Sequence, residues 1–219
     1  MTNTTLDLTD PVTHTVCTGH GLILAAGVRL DLNGTTLSGS NSGTGLWLSN
    51  GGTVQGGTVR AFAMGIRVGP GAVDSSAASG TTIQNNAGDG VLVDVADSRS
   101  RVVLSGVTIV GNGGDGIHVR GAPGLSNLDD VSQRLESPDY GFSVSRSVVS
   151  NNAGHGIHLG DSSQPGDVAA MIGGYQSGNQ IVGNGGAGIL MEQAKILPGA
   201  DCGASAGQPG CTGATIAAT

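Results

Sequence analysis

The chain has 219 residues, enough for one domain with a sizeable core. Charged residues make up 11%, aromatics 2% and glycine 41 positions, whereas an ordinary globular domain has about 25% charged residues and about 7% glycine. With a net charge of -7, a single lysine (Lys195) and scattered arginines, there is no clustered basic face for nucleic acid. No apolar run reaches the roughly 18 residues of a membrane helix.

The glycines recur with Asn, Ser and Thr between short Val/Ile/Leu runs, which predicts strands joined by tight turns. In chain order, Cys17 reads as a small buried hydrophobe. TGLWL (44–48) carries the end of a repeat, and TVRAFAMGIRV (58–68) is a copy one residue short, with Phe62 near an asparagine slot. Four full copies align without gaps: TIQNNAGDGVLV (82–93), TIVGNGGDGIHV (108–119), VVSNNAGHGIHL (148–159) and QIVGNGGAGILM (180–191).

The alternating tails Val91/Val93, Ile117/Val119, Ile157/Leu159 and Ile189/Met191 predict strands with one buried face. Ile83, Ile109, Val149 and Ile181 begin a second buried run. The motif glycines are expected to supply the φ > 0 turn between the two runs. Asn86, Asn112, Asn152 and Asn184 recur at one turn position, so stacking would line their amides into a ladder. A single repeat cannot bury its own apolar face, but stacked repeats can.

Gly45, Gly65, Gly90, Gly116, Gly156 and Gly188 are separated by steps of 20, 25, 26, 40 and 32 residues. Steps in the twenties suit one coil of three short strands. VVLSGVTIV (102–110) aligns with FSVSRSVVS (142–150), so the long step is one coil plus an insertion at 128–141. Leu128, Val131 and Leu135 have helical spacing behind the candidate N-caps Ser126 and Asn127, predicting a short amphipathic helix there. The predicted organisation is an all-β, right-handed parallel β-helix of about seven coils over residues 1–198, with a C-terminal cap or tail at 199–219. A sandwich or propeller would need hairpin signals and antiparallel alternation, whereas here the same strand returns in one register. Cys202 and Cys211 bracket a Gly/Ala/Pro loop and read either as a disulfide or as two free thiols.

GLILAAGVRLDLNGTTLSG (21–39), GGTVRAFAMGIRV (56–68) and the N-x-G-x-G-I repeats resemble the right-handed β-helix proteins of the pectate-lyase-like superfamily, over roughly residues 5–191. The resemblance implies an extracellular, periplasmic or cell-surface protein that binds or processes polysaccharide by lyase, hydrolase or epimerase chemistry. It also implies a leader outside this chain, since none is legible after Met1. The alternative is a non-catalytic structural or cell-surface solenoid.

Candidate chemistry follows from the stacking. The outward residue between the motif glycines reads Met64, Asp89, Asp115, His155 and Ala187, and the one between the buried pair reads Trp47, Arg67, Leu92, His118, His158 and Leu190. Asp115 and His155 form a candidate acid/base pair, joined by His118, His158 and Arg120 as further candidate catalytic residues. Trp47, Arg67, Asp89 and Asp94 are candidate substrate contacts, with Trp47 able to stack on a sugar ring. GHG (154–156) is similar to the histidine motif of polygalacturonases, but Asn-Thr-Asp is absent, and the repeat itself places GHG where GDG and GAG stand. Calcium is the cofactor that Asp89, Asp94 and Asp115 would suit. The histidines are of a type that binds zinc or copper, but a flat sheet is a poor tetrahedral frame, so the sequence reading assigns no metal.

Overall fold

The computed structural model describes residues 4–7, 19–25, 27–49, 51–68, 76–94, 102–120, 142–160, 168–173, 178–192, 194–196 and 215–216. The predicted helix in 128–141, Cys17, Cys202 and Cys211 lie outside them, and the described residues contain no helix.

Strands are numbered in chain order. The first sheet runs β1 (Thr4–Asp7), β3 (Val28–Asp31), β6 (Thr53–Gln55), β9 (Ser76–Ser79), β12 (Val102–Ser105), β15 (Phe142–Ser145), β18 (Val168–Ile172), β21 (Ala194–Ile196). The second runs β4 (Thr36–Ser38), β7 (Thr58–Arg60), β10 (Thr82–Gln84), β13 (Thr108–Val110), β16 (Val148–Ser150), β19 (Gln180–Val182), β22 (Thr215–Ile216). The third runs β2 (Leu22–Leu24), β5 (Thr44–Leu48), β8 (Met64–Val68), β11 (Val91–Asp94), β14 (Ile117–Arg120), β17 (Ile157–Leu159), β20 (Ile189–Met191). Neighbouring strands are parallel, and the chain visits the three sheets in rotation, as a parallel β-helix solenoid requires.

The 40-residue step is a single coil, as expected. Val102 pairs with Phe142, Thr108 with Val148 and Ile117 with Ile157, so no strand intervenes. The core is built from aliphatic columns. Leu46, Ile66, Val91, Ile117 and Ile157 form one on the third sheet, each fully buried, and Val59, Ile83, Ile109, Val149 and Ile181 form another on the second. Each such side chain contributes about 1.5–3 kcal/mol by leaving water.

The asparagine ladder forms and points inward. Asn86 Nδ2 donates to Asn112 Oδ1, Asn112 Nδ2 to Asn152 Oδ1 and Asn152 Nδ2 to Asn184 Oδ1, all at 2.9 Å. The same oxygens accept the backbone N–H groups of Asn86, Asn112 and Asn152 at 3.1 Å. Phe62 continues the column, its N–H donating to Asn86 Oδ1, which explains its place in the asparagine slot.

The turn chemistry differs from expectation. Motif glycines such as Gly90 and Gly116 are not among the positive-φ residues. The left-handed residue is instead the one just before the ladder: Ala61, Asn85, Gly111, Asn151 and Gly183, at φ 52–67°. Asn and Gly tolerate that conformation best, which accounts for the alternation of NN and GN in the repeats. Gly116 is needed for space: a Cβ there would sit 2.5 Å from Val149 Cγ1 and 2.7 Å from the Gly156 carbonyl oxygen.

Candidate functional site

Parallel pairing sets the outward residues of the third sheet in one row: Ile23, Trp47, Arg67, Leu92, His118, His158 and Leu190. Successive members are about 4.8 Å apart, the strand spacing. The Arg67 guanidinium carbon lies 4.9 Å from the Trp47 ring centroid, within cation–π range. Arg67 also pairs with Asp94 at 2.7 Å, and Arg120 approaches the same Asp94 oxygen at 3.5 Å. Leu92 is 2% exposed yet lies outside the core cluster, so this outward position is covered.

The residues between the glycines have a structural duty that sequence reading did not foresee. Asp89, Asp115 and His155 each accept the backbone N–H of the counterpart on the next coil. Asp89 Oδ1 takes the amide of Asp115 at 2.8 Å, Asp115 Oδ1 that of His155 at 2.6 Å, and His155 Nδ1 that of Ala187 at 2.9 Å. His20 does the same for Thr44 at 3.2 Å. His20 was missed, although GHGLIL (19–24) repeats the form of GHGIHL (154–159) and was legible.

Once those bonds are assigned, one oxygen of each aspartate remains, and each is turned to a histidine of the next coil. Asp89 Oδ2 lies 3.5 Å from His118 Nδ1, and Asp115 Oδ2 lies 3.0 Å from His158 Nδ1. The two imidazoles stack with centroids 4.4 Å apart and planes 5° from parallel. His155 meets His158 edge to face at 5.4 Å, so the Asp115 carboxylate pairs with the His158 ring and touches His155 through its amide. Glu192, which follows β20 at the repeat position held by Asp94, Arg120 and Gly160, brings Oε2 to 3.8 Å from His158 Nε2.

Burial, and to a smaller extent the positive charge of Arg120, opposes the charged form of His118, but the hydrogen bond and charge of Asp89 and the charge of Asp115 outweigh both. The imidazole's pKa is therefore raised from its ordinary value. The nine candidate residues thus fall into two groups on one face: Trp47, Arg67, Asp94 and Arg120, and Asp89, Asp115, His118, His155 and His158. Asp94 faces two arginines, whose charges oppose a calcium ion beside it. Among the described residues, Asp115, His118 and His158 are the one set of three metal-ligating side chains with donor atoms within 4.8 Å of one another.

Comparison with protein-family models, with curated proteins and with solved structures finds no match.

Proposed function

We propose that the chain is an exported right-handed β-helix protein of the pectate-lyase-like kind, which binds polysaccharide along the outward face of its third sheet and processes it there. The observation that carries this reading is the in-register row from Trp47 and Arg67 to His118 and His158. An extended sugar chain lies along such a row, with Trp47 under a ring and the arginines toward its hydroxyl or carboxylate groups. The Asp115–His158 pair is the proton-transfer element, since a carboxylate on Nδ1 orients the ring and strengthens it as a base.

A non-catalytic solenoid is the second reading, favoured by the coil-to-coil bonds of Asp89, Asp115 and His155. The test is a panel of acidic and neutral polysaccharides, assayed for retention and for new chain ends, with and without calcium. Saturable binding that drops about tenfold or more in Trp47→Ala and Arg67→Ala supports the reading. Cleavage lost in His158→Ala adds the catalytic part. Binding without cleavage leaves the scaffold, and no binding across the panel sinks the proposal.

A further inference from the structure

We propose that Asp94 sets the selectivity of the third-sheet face: it occupies Arg67 and Arg120, so the face takes uncharged glycans and turns away polyuronates. This selectivity presupposes that the face binds polysaccharide, as proposed above. Asp94 closes β11, between β8 and β14. Its Oδ2 lies 2.7 Å from Arg67 Nη2 and 3.5 Å from Arg120 Nη2. A single carboxylate therefore faces both guanidiniums that the third sheet carries among the described residues.

Arg67 is committed twice. Its guanidinium carbon stands 4.9 Å from the Trp47 ring centroid. Its Nε is buried and has no hydrogen-bond partner. A guanidinium grips a carboxylate best through two parallel N–H bonds from one edge. With Nε shut away and Nη2 on Asp94, the edge formed by Nε and Nη2 is closed to a second carboxylate. A uronate seeking these arginines has to displace Asp94, which is tethered beside them and competes at an effective concentration of about millimolar or more.

The remaining charge points the same way. Four carboxylates, Asp89, Asp94, Asp115 and Glu192, stand against the two guanidiniums, an excess of two negative charges while the imidazoles are neutral. The whole chain carries -7. A polyuronate bears a negative charge on every sugar and is repelled within a Debye length, about 8–10 Å at physiological salt. An uncharged sugar meets no such opposition. Each of its hydroxyls both donates and accepts, and the Asp94–Arg120 pair presents an acceptor and donors side by side. The pair is within a ligand's reach, since the Asp94 side chain is 27% and that of Arg120 38% exposed.

Matched polymers test this: polygalacturonate beside its fully methyl-esterified form, and a soluble β-glucan beside its carboxymethyl derivative. Binding to the whole chain is measured at neutral pH across a salt series. The uncharged member should bind about tenfold tighter or more at about 20 mM salt, and the gap should narrow toward about 0.5 M. Asp94→Asn removes the internal carboxylate, so the ratio of the two affinities should move about tenfold toward the carboxylated member, whose binding should then weaken as salt rises. Mere structural damage would weaken both members together and leave the ratio alone. A wild-type preference for the carboxylated member, or an unmoved ratio in folded Asp94→Asn, overturns the proposal and leaves the groove reading standing. Failure of every polymer to bind removes the groove reading, and this proposal with it. The wild-type ratio and its salt dependence decide even if the variant fails to fold.

Discussion

Replacing Asn112 with alanine isolates what the inward ladder contributes. The Asn112 side chain is 1% exposed. Its Oδ1 accepts the backbone N–H of Asn86 at 3.1 Å and the Asn86 amide at 2.9 Å. Its Nδ2 donates to Asn152 Oδ1 at 2.9 Å and to the Ile83 carbonyl at 3.3 Å. Truncation leaves Asn152 Oδ1 with the Asn112 backbone N–H, but it removes bonds from the Asn86 N–H, the Asn86 amide and the Ile83 carbonyl. A buried polar group left unsatisfied costs about 1–3 kcal/mol, and water entering the vacated space holds each loss near the lower end. The expected destabilisation is therefore about 3–5 kcal/mol, a large share of the roughly 5–15 kcal/mol typical of a folded domain. Guanidinium unfolding followed by far-ultraviolet circular dichroism reads it as a lower midpoint at unchanged slope. Asn112→Ala combined with Asn152→Ala should lose less than the sum of the single variants, because the two amides share a bond. A loss below about 1 kcal/mol for Asn112→Ala, no larger than that of a surface substitution, would refute the reasoning.

Gly116→Ala should destabilise by about 3 kcal/mol or more, because its Cβ meets Val149 and the Gly156 backbone on the next coil. Gly106→Ala, at φ +63° with open space around it, should lose only about 1–2 kcal/mol; thermal unfolding giving the reverse order contradicts this account. His118 should titrate above ordinary histidine by NMR, and Asp89→Asn should lower its midpoint. Because the folded value is raised, its stabilisation is fully present below the unfolded value and lost as pH rises through the folded one; a midpoint at or below the ordinary value refutes the assignment. Asp94→Asn should change stability by less than about 1 kcal/mol, since its pairs with Arg67 and Arg120 are partly solvated; a larger loss by denaturant titration would show that they act as a buried network.

The solenoid was legible because every coil repeats the same local requirements. An aliphatic pair, an asparagine and a small residue recur at fixed intervals, and stacking like on like satisfies all of them together. Even the insertion could be located, since VVLSGVTIV and FSVSRSVVS share one register, which the pairing of Val102 with Phe142 bears out. The row Trp47, Arg67, Leu92, His118, His158 also followed from alternation alone. Pattern could not supply the direction of individual valences. GDG and GHG look alike as turn fillers, yet one oxygen of Asp115 is committed to the His155 amide and only the other reaches a ring. That ring belongs to His158, 43 residues away, although His155 was the expected partner. The motif glycines were likewise read as flexible turns, but the next coil's backbone is what excludes a side chain there. Sequence alone determined the coil, its register and its outward face, because these depend on periodicity. The tertiary structure decided which atoms on that face remain free for chemistry, because that depends on hydrogen bonds between coils whose partners no single repeat contains.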